Sequence, residues 1–92
     1  MTIYIIFGAT GEYSDHRRWI VKACASEDQA TKFVDKINKW LVKNDFHYDR
    51  NNRGTWENDY ERRHDAVCPL DPKFHCDYTG TEYYYEPCEL EE

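Results

Sequence analysis

Two hydrophobic periods divide the chain. Thr2-Ile3-Tyr4-Ile5-Ile6-Phe7 is an unbroken run of β-branched and aromatic residues bounded by Gly8 and Gly11, the pattern of a strand in the middle of a sheet. Residues 17–25 alternate instead, with Trp19, Val21 and Ala23 on one side and Ile20, Lys22 and Cys24 on the other, which predicts a second, half-covered strand. The two should pair as a hairpin whose polar loop, residues 8–16, is too long for a tight turn and projects from the sheet.

At Ser26 the period changes to that of a helix. Ser26-Glu27-Asp28-Gln29 has the form of a capping box, in which the serine oxygen accepts the Gln29 amide and the Gln29 side chain reaches back to the Ser26 amide. Ala30, Phe33, Val34, Ile37, Trp40 and Leu41 follow at spacings of three and four, with Lys32, Asp35, Lys36, Lys39 and Lys43 mostly opposite, so this stripe must cover the sheet. Lysines suit the negative end of the helix, and Asn44 can serve as a left-handed stop.

Residues 45–54 are polar and include the turn-forming Asn51-Asn52-Arg53-Gly54, a surface connection. Trp56, Tyr60, His64 or Arg63, and Val67 recur at helical spacing and predict a second, shorter helix stopped by Pro69 and Pro72. Residues 81–90 carry Tyr83, Tyr84, Tyr85, Cys88 and Leu90 around Pro87, an edge strand whose alternation packs Tyr83 and Tyr85 against the helices. The predicted fold is therefore α+β, one domain over residues 1–92 in the order β-β-α-α-β. It is a three-stranded, largely antiparallel sheet covered on one face by helices, in strand order 2-1-3 because the most apolar strand belongs at the centre.

Composition supports a single ring-rich core: the 92 residues are 40% hydrophobic and 16% aromatic, enough to fold unaided but not enough for two domains. No apolar run is long enough to span a membrane, and residues 1–7 lack the basic flank of a signal peptide, so a cytoplasmic location is expected. The net charge of −6 is unevenly placed, since residues 1–76 hold 12 basic and 12 acidic residues and residues 77–92 hold six acids and no base. A neutral body with an acidic end does not suit direct nucleic-acid binding, which needs clustered Lys and Arg. It permits a basic protein partner or serves as a solubilising tail.

Cys24, Cys68, Cys76 and Cys88 show no CxxC spacing, so reduced thiols are expected, with Cys24 a small buried hydrophobe. His64, Cys68, His75 and Cys76 could supply a tetrahedral zinc site by composition, but adjacent His75 and Cys76 point in opposite directions in extended chain. No metal or other cofactor is assigned. Ser14, Asp15 and His16 are the residue types of a hydrolase, yet sequence neighbours rarely converge as a triad. They read better as groups that bond loop amides. Phe7-Gly8-Ala9-Thr10-Gly11 leads into a strand, not a helix N-terminus, and no GK[ST] lysine follows, so it is not a phosphate loop. The tyrosines lie among Asp77, Glu82 and Glu86, which fits a protein interface better than a base-stacking platform. No catalytic residue is assigned.

Gly11-Glu12-Tyr13-Ser14-Asp15, Leu70-Asp71-Pro72 and Asp77-Tyr78-Thr79-Gly80-Thr81 together resemble a family of uncharacterised small proteins of tailed phages and prophages. The resemblance runs in order along most of the chain and implies a phage or prophage accessory protein acting in the host cytoplasm, without assigned chemistry. The resulting expectation is a non-enzymatic module that binds a host or phage protein. Its candidate surface is Glu12, Tyr13, Ser14, Asp15 and His16, which meet Asp77, Tyr78 and Thr79 if the last strand runs antiparallel to the first, a direction the sequence leaves open, or the tyrosine strand at Tyr84, through which a homodimer could also pair. The alternative is an acidic nucleic-acid mimic that blocks a host defence or DNA-binding protein, and a small zinc-binding regulator ranks below both.

Overall fold

Glycine inside an apolar run is the first place where sequence and structure part. In the computed structural model, which describes residues 1–11, 16–47, 66–76 and 80–91, strand β1 (Thr2–Thr10) runs straight through Gly8. Gly8 therefore ends nothing; it leaves room above the strand, and the Trp19 ring fills that room. The connection to β2 (Arg17–Cys24) is correspondingly shorter than predicted.

β2 and β3 (Thr81–Glu89) flank β1 on either side, both antiparallel, in the order β2-β1-β3. The expected strand order is observed, and the direction of β3 is now fixed. With α1 (Glu27–Lys43) between β2 and β3, the described residues form an α+β fold in the order β-β-α-β. Of the predicted second helix, residues 56–65 lie outside the described residues. Ala66 and Val67 are not helical, and Val67 is 79% exposed, so the spacing that placed Val67 on an apolar face was misleading.

A register shift between Ile6 and Phe7 leaves one extra residue in β2. Such a bulge resets the alternation of the strand that carries it. Trp19 stays opposite Gly8, but Cys24 now lies opposite Tyr4 and Ala23 opposite Ile5, and opposed residues share a face. Cys24 is thereby turned to the helix side, where it is only half-buried, and Ala23 is exposed. The predicted faces held for Trp19 to Val21 and were exchanged beyond the bulge.

α1 begins as read from the sequence. Ser26 accepts the Gln29 amide at 3.2 Å, and Ala30, Ile37 and Leu41 of the apolar stripe are buried. Its end differs. Asn44 has φ −99°, and the left-handed residue is Asp45 at φ 60°. The Phe46 amide bonds Leu41 O at 2.8 Å and the Asp45 amide bonds Val42 O at 3.2 Å, the paired bonds of a Schellman stop. That turn drives Phe46, predicted as surface connection, into the core against Trp40 and Phe74. The core thus lies between the sheet, α1 and segment 66–76, with Ile37, Leu41, Phe46, Cys68, Phe74 and Tyr83 at its centre.

Candidate functional site

One row crosses the middle of the sheet, Trp19–Gly8–Tyr83, with the two aromatic residues in register on either side of the glycine. Their rings meet edge to face at 6.2 Å, bridging above a position that has no side chain of its own. Both polar tips then converge on Asp71: Trp19 Nε1 donates to its Oδ2 at 2.8 Å and the Tyr83 hydroxyl donates to the same oxygen at 2.7 Å. The other oxygen, Oδ1, accepts the Lys73 amide at 3.0 Å, as expected of Asp before Pro72 in a turn. Asp71 is 1% exposed yet fully engaged, the condition under which a carboxylate can be buried. It pins segment 66–76 onto the sheet.

Burial pushes the Tyr83 hydroxyl well above its ordinary range, and the hydrogen bond to Asp71 and its charge add to the effect. Burial likewise raises the Cys68 thiol, against the lowering influence of the Leu70 and Asp71 amides. Both shifts keep these two groups protonated at neutral pH, and the cluster's geometry fastens segment 66–76 to the sheet.

The opposite face of the sheet is built differently. Phe7 stacks on Tyr84 at 5.6 Å, and the Arg18 guanidinium sits 4.3 Å from the Phe7 ring centroid. Arg18 continues across the strands to the Tyr84 hydroxyl at 3.5 Å and Glu86 at 3.8 Å. Beside this strap Ile20 is 53% exposed. Phe7 is itself buried, 8% exposed, so the surface it supports consists of Arg18, the half-buried Tyr84 and the exposed Ile20 and Glu86, with arginine and tyrosine among the residues enriched at protein interfaces.

The two sheet edges are unlike. The Leu90 amide bonds Met1 O, so even-numbered positions of β3 face β1 and odd-numbered ones face outward. Three of those outward positions are closed. The Thr81 amide bonds Phe46 O at 2.8 Å. The Tyr83 amide donates to Asn38 Oδ1 at 3.3 Å while Asn38 Nδ2 donates to Tyr83 O at 3.2 Å, so one helix side chain completes the ladder as a neighbouring strand would. Pro87 has no amide to offer. β3 is an edge strand, as predicted, but pairing with a copy of itself finds no run of free donors there. On β2 the outward groups belong to Arg18, Ile20 and Ala23, and no described residue bonds to them.

Several expected site residues fall outside the described residues: Glu12, Tyr13, Ser14, Asp15, His64, Asp77, Tyr78 and Thr79. Their flanks do meet, since Thr10 pairs with both Arg17 and Thr81 and its hydroxyl donates to Gly80 O at 2.8 Å. His16, exposed, stands at the same end. Tyr84 lies on the face away from α1. Among the zinc candidates, Cys68 is buried in the core, the Cys76 thiol faces Phe46 O at 3.6 Å, and the His75 ring stands edge-on to Trp19 at 5.8 Å. Among the described residues no group of three or more His, Cys, Asp or Glu side chains could hold a metal ion, and no helix is long and apolar enough to cross a membrane.

Gly8, Trp19, Asn38, Asp71 and Tyr83 were not singled out together from the sequence. Asp-Pro in a loop between apolar segments signals a turn, but nothing in one sequence says that its carboxylate faces inward. No family model matches the chain, and comparison with curated proteins and with solved structures finds no similar protein.

Proposed function

We propose that this chain is a non-enzymatic interaction module that binds a host or phage protein, in keeping with its resemblance to phage and prophage accessory proteins. The observation that supports this reading is the face opposite α1, where Arg18, half-buried Tyr84 and exposed Ile20 form a partly apolar patch with a charged rim, backed by the buried Phe7 ring. Such patches bind by excluding water around a few aromatic and arginine anchors. Nucleic-acid mimicry is the weaker reading, because Glu86 already faces Arg18 and an array of unneutralised acids is what a mimic needs.

Affinity capture from host lysate, with mass spectrometry, tests the proposal. Tyr84→Ala and Ile20→Glu should each deplete the same captured protein, while Lys36→Ala on the exposed side of α1 should not. An identical set of captured proteins in all variants overturns it. Release of a nucleic-acid-binding protein by moderate salt alone would favour mimicry instead.

A further inference from the structure

We infer that the outer edge of β2 is a docking edge for an extended, acidic segment of a partner protein, added to the sheet as a fourth strand; this rests on the interaction reading above. The sheet is polarised from side to side. β2 carries Arg17, Arg18 and Lys22 and no acid, β1 carries no charge, and β3 carries Glu82, Glu86 and Glu89 and no base. On β2 alternate backbone amides and carbonyls point away from β1, with the bulge shifting the alternation after Ile20, and those of Arg18, Ile20 and Ala23 meet no described residue, while all three side chains are exposed. β3, in contrast, is closed by Phe46, by the Asn38 clamp and by Pro87.

Unused ladder groups give an incoming strand its affinity, and the side chains beside them give selectivity. The basic residues choose an acidic partner segment. Arg17 lies opposite Thr10 on the helix side and Ile20 opposite Phe7 on the far side, so an incoming strand would place carboxylates beside Arg17 and an apolar side chain beside Ile20. A second copy of this chain is a poor occupant, because pairing β2 with β2 opposes its own cations and the acidic strand β3 has its outward groups occupied.

The test uses the full chain and a blocked peptide of alternating Glu and Val as long as β2, with hydrogen exchange read amide by amide. Expected is slowed exchange at the outward amides Arg18, Ile20 and Ala23 on peptide addition. Affinity should fall about tenfold in Arg17→Glu/Lys22→Glu, as expected for lost and inverted ion pairs. N-methylation of alternate peptide amides, which removes ladder donors without touching the protein, should abolish binding in one register. Equal binding of a Lys–Val peptide, equal competition by a single-stranded oligonucleotide, or binding that leaves the β2 amides exchanging freely would each overturn the inference. A protein captured through Tyr84 and Ile20 whose binding leaves those amides unprotected would overturn it while leaving the interaction reading intact.

Discussion

The indole of Trp19 lies so close over Gly8 that a Cβ built on the glycine would sit 2.5 Å from two of its ring carbons. Gly8→Ala must therefore lift the indole away from Asp71. The cost should be about 1–3 kcal/mol for overpacking, rising further where the bond to the carboxylate breaks. Urea denaturation checks the value. In a Trp19→Leu background the same substitution should cost far less, since the two positions act on one contact.

Asp71 satisfies three donors, two of them on the tips of rings, that of Tyr83 buried and that of Trp19 partly buried. Asp71→Ala leaves the Trp19 and Tyr83 donors without an acceptor and should destabilise by roughly 2–5 kcal/mol, the range for opening a buried hydrogen-bonded network. Asp71→Asn should be milder but not silent. Its amide nitrogen would oppose either the Lys73 amide or the two ring donors, and denaturation of both variants side by side measures the difference.

Alkaline pH should weaken the fold in a defined window. Tyr83 has its hydroxyl raised above the ordinary 10.0 and Cys68 its thiol above 9.0, so in each case the folded state holds its proton where the unfolded chain has released it. Their stabilisation is complete below those ordinary values and is lost as pH climbs past them toward the folded values. The slope is about 1.4 kcal/mol per pH unit for each group. Cys68→Ala should remove the loss that begins near 9.0 and Tyr83→Phe the loss that begins near 10.0, as read by thermal melts across pH.

Asn38→Ala should remove the side chain that completes the ladder at Tyr83 and so expose acidic β3 to basic β2 of the next molecule. That contact is head to tail and does not close on itself. Light scattering should show growth with concentration at low salt and reversal at 1 M salt, where screening acts over about 3 Å. A variant that stays monomeric at all concentrations would show that Asn38 does not guard the edge.

The elements whose pattern was local were legible in the sequence: the β run of β1, the capping box at Ser26, the stripe from Ala30 to Leu41, and the inward tyrosines Tyr83 and Tyr85. What escaped depends on partners distant in the chain. Gly8 looks like a terminator until Trp19 is laid over it, and the bulge in β2 is invisible without its register against Ile6 and Phe7. Asp45 rather than Asn44 takes the left-handed turn because Phe46 has a pocket to reach. Of the candidate site, the meeting of the loop ends was legible only on the condition that β3 runs antiparallel to β1, a direction the sequence leaves open, whereas the Asp71 fastener and the Asn38 clamp needed side chains from opposite ends of the sequence to be seen together.

The Asp71 fastener also bears on the order in which the molecule assembles. Trp19 and Asp71 are separated by 52 positions, whereas β1, β2 and α1 are joined by short connections within the first 43 residues. Loop closure on that scale is costly before its contacts form, so the hairpin and α1 should organise first and segment 66–76 dock last. Substitutions at Asp71 should then accelerate unfolding in stopped-flow experiments while leaving the refolding rate nearly unchanged. The carboxylate would act as the latch that sets how long the native state persists, and not as part of the nucleus that creates it.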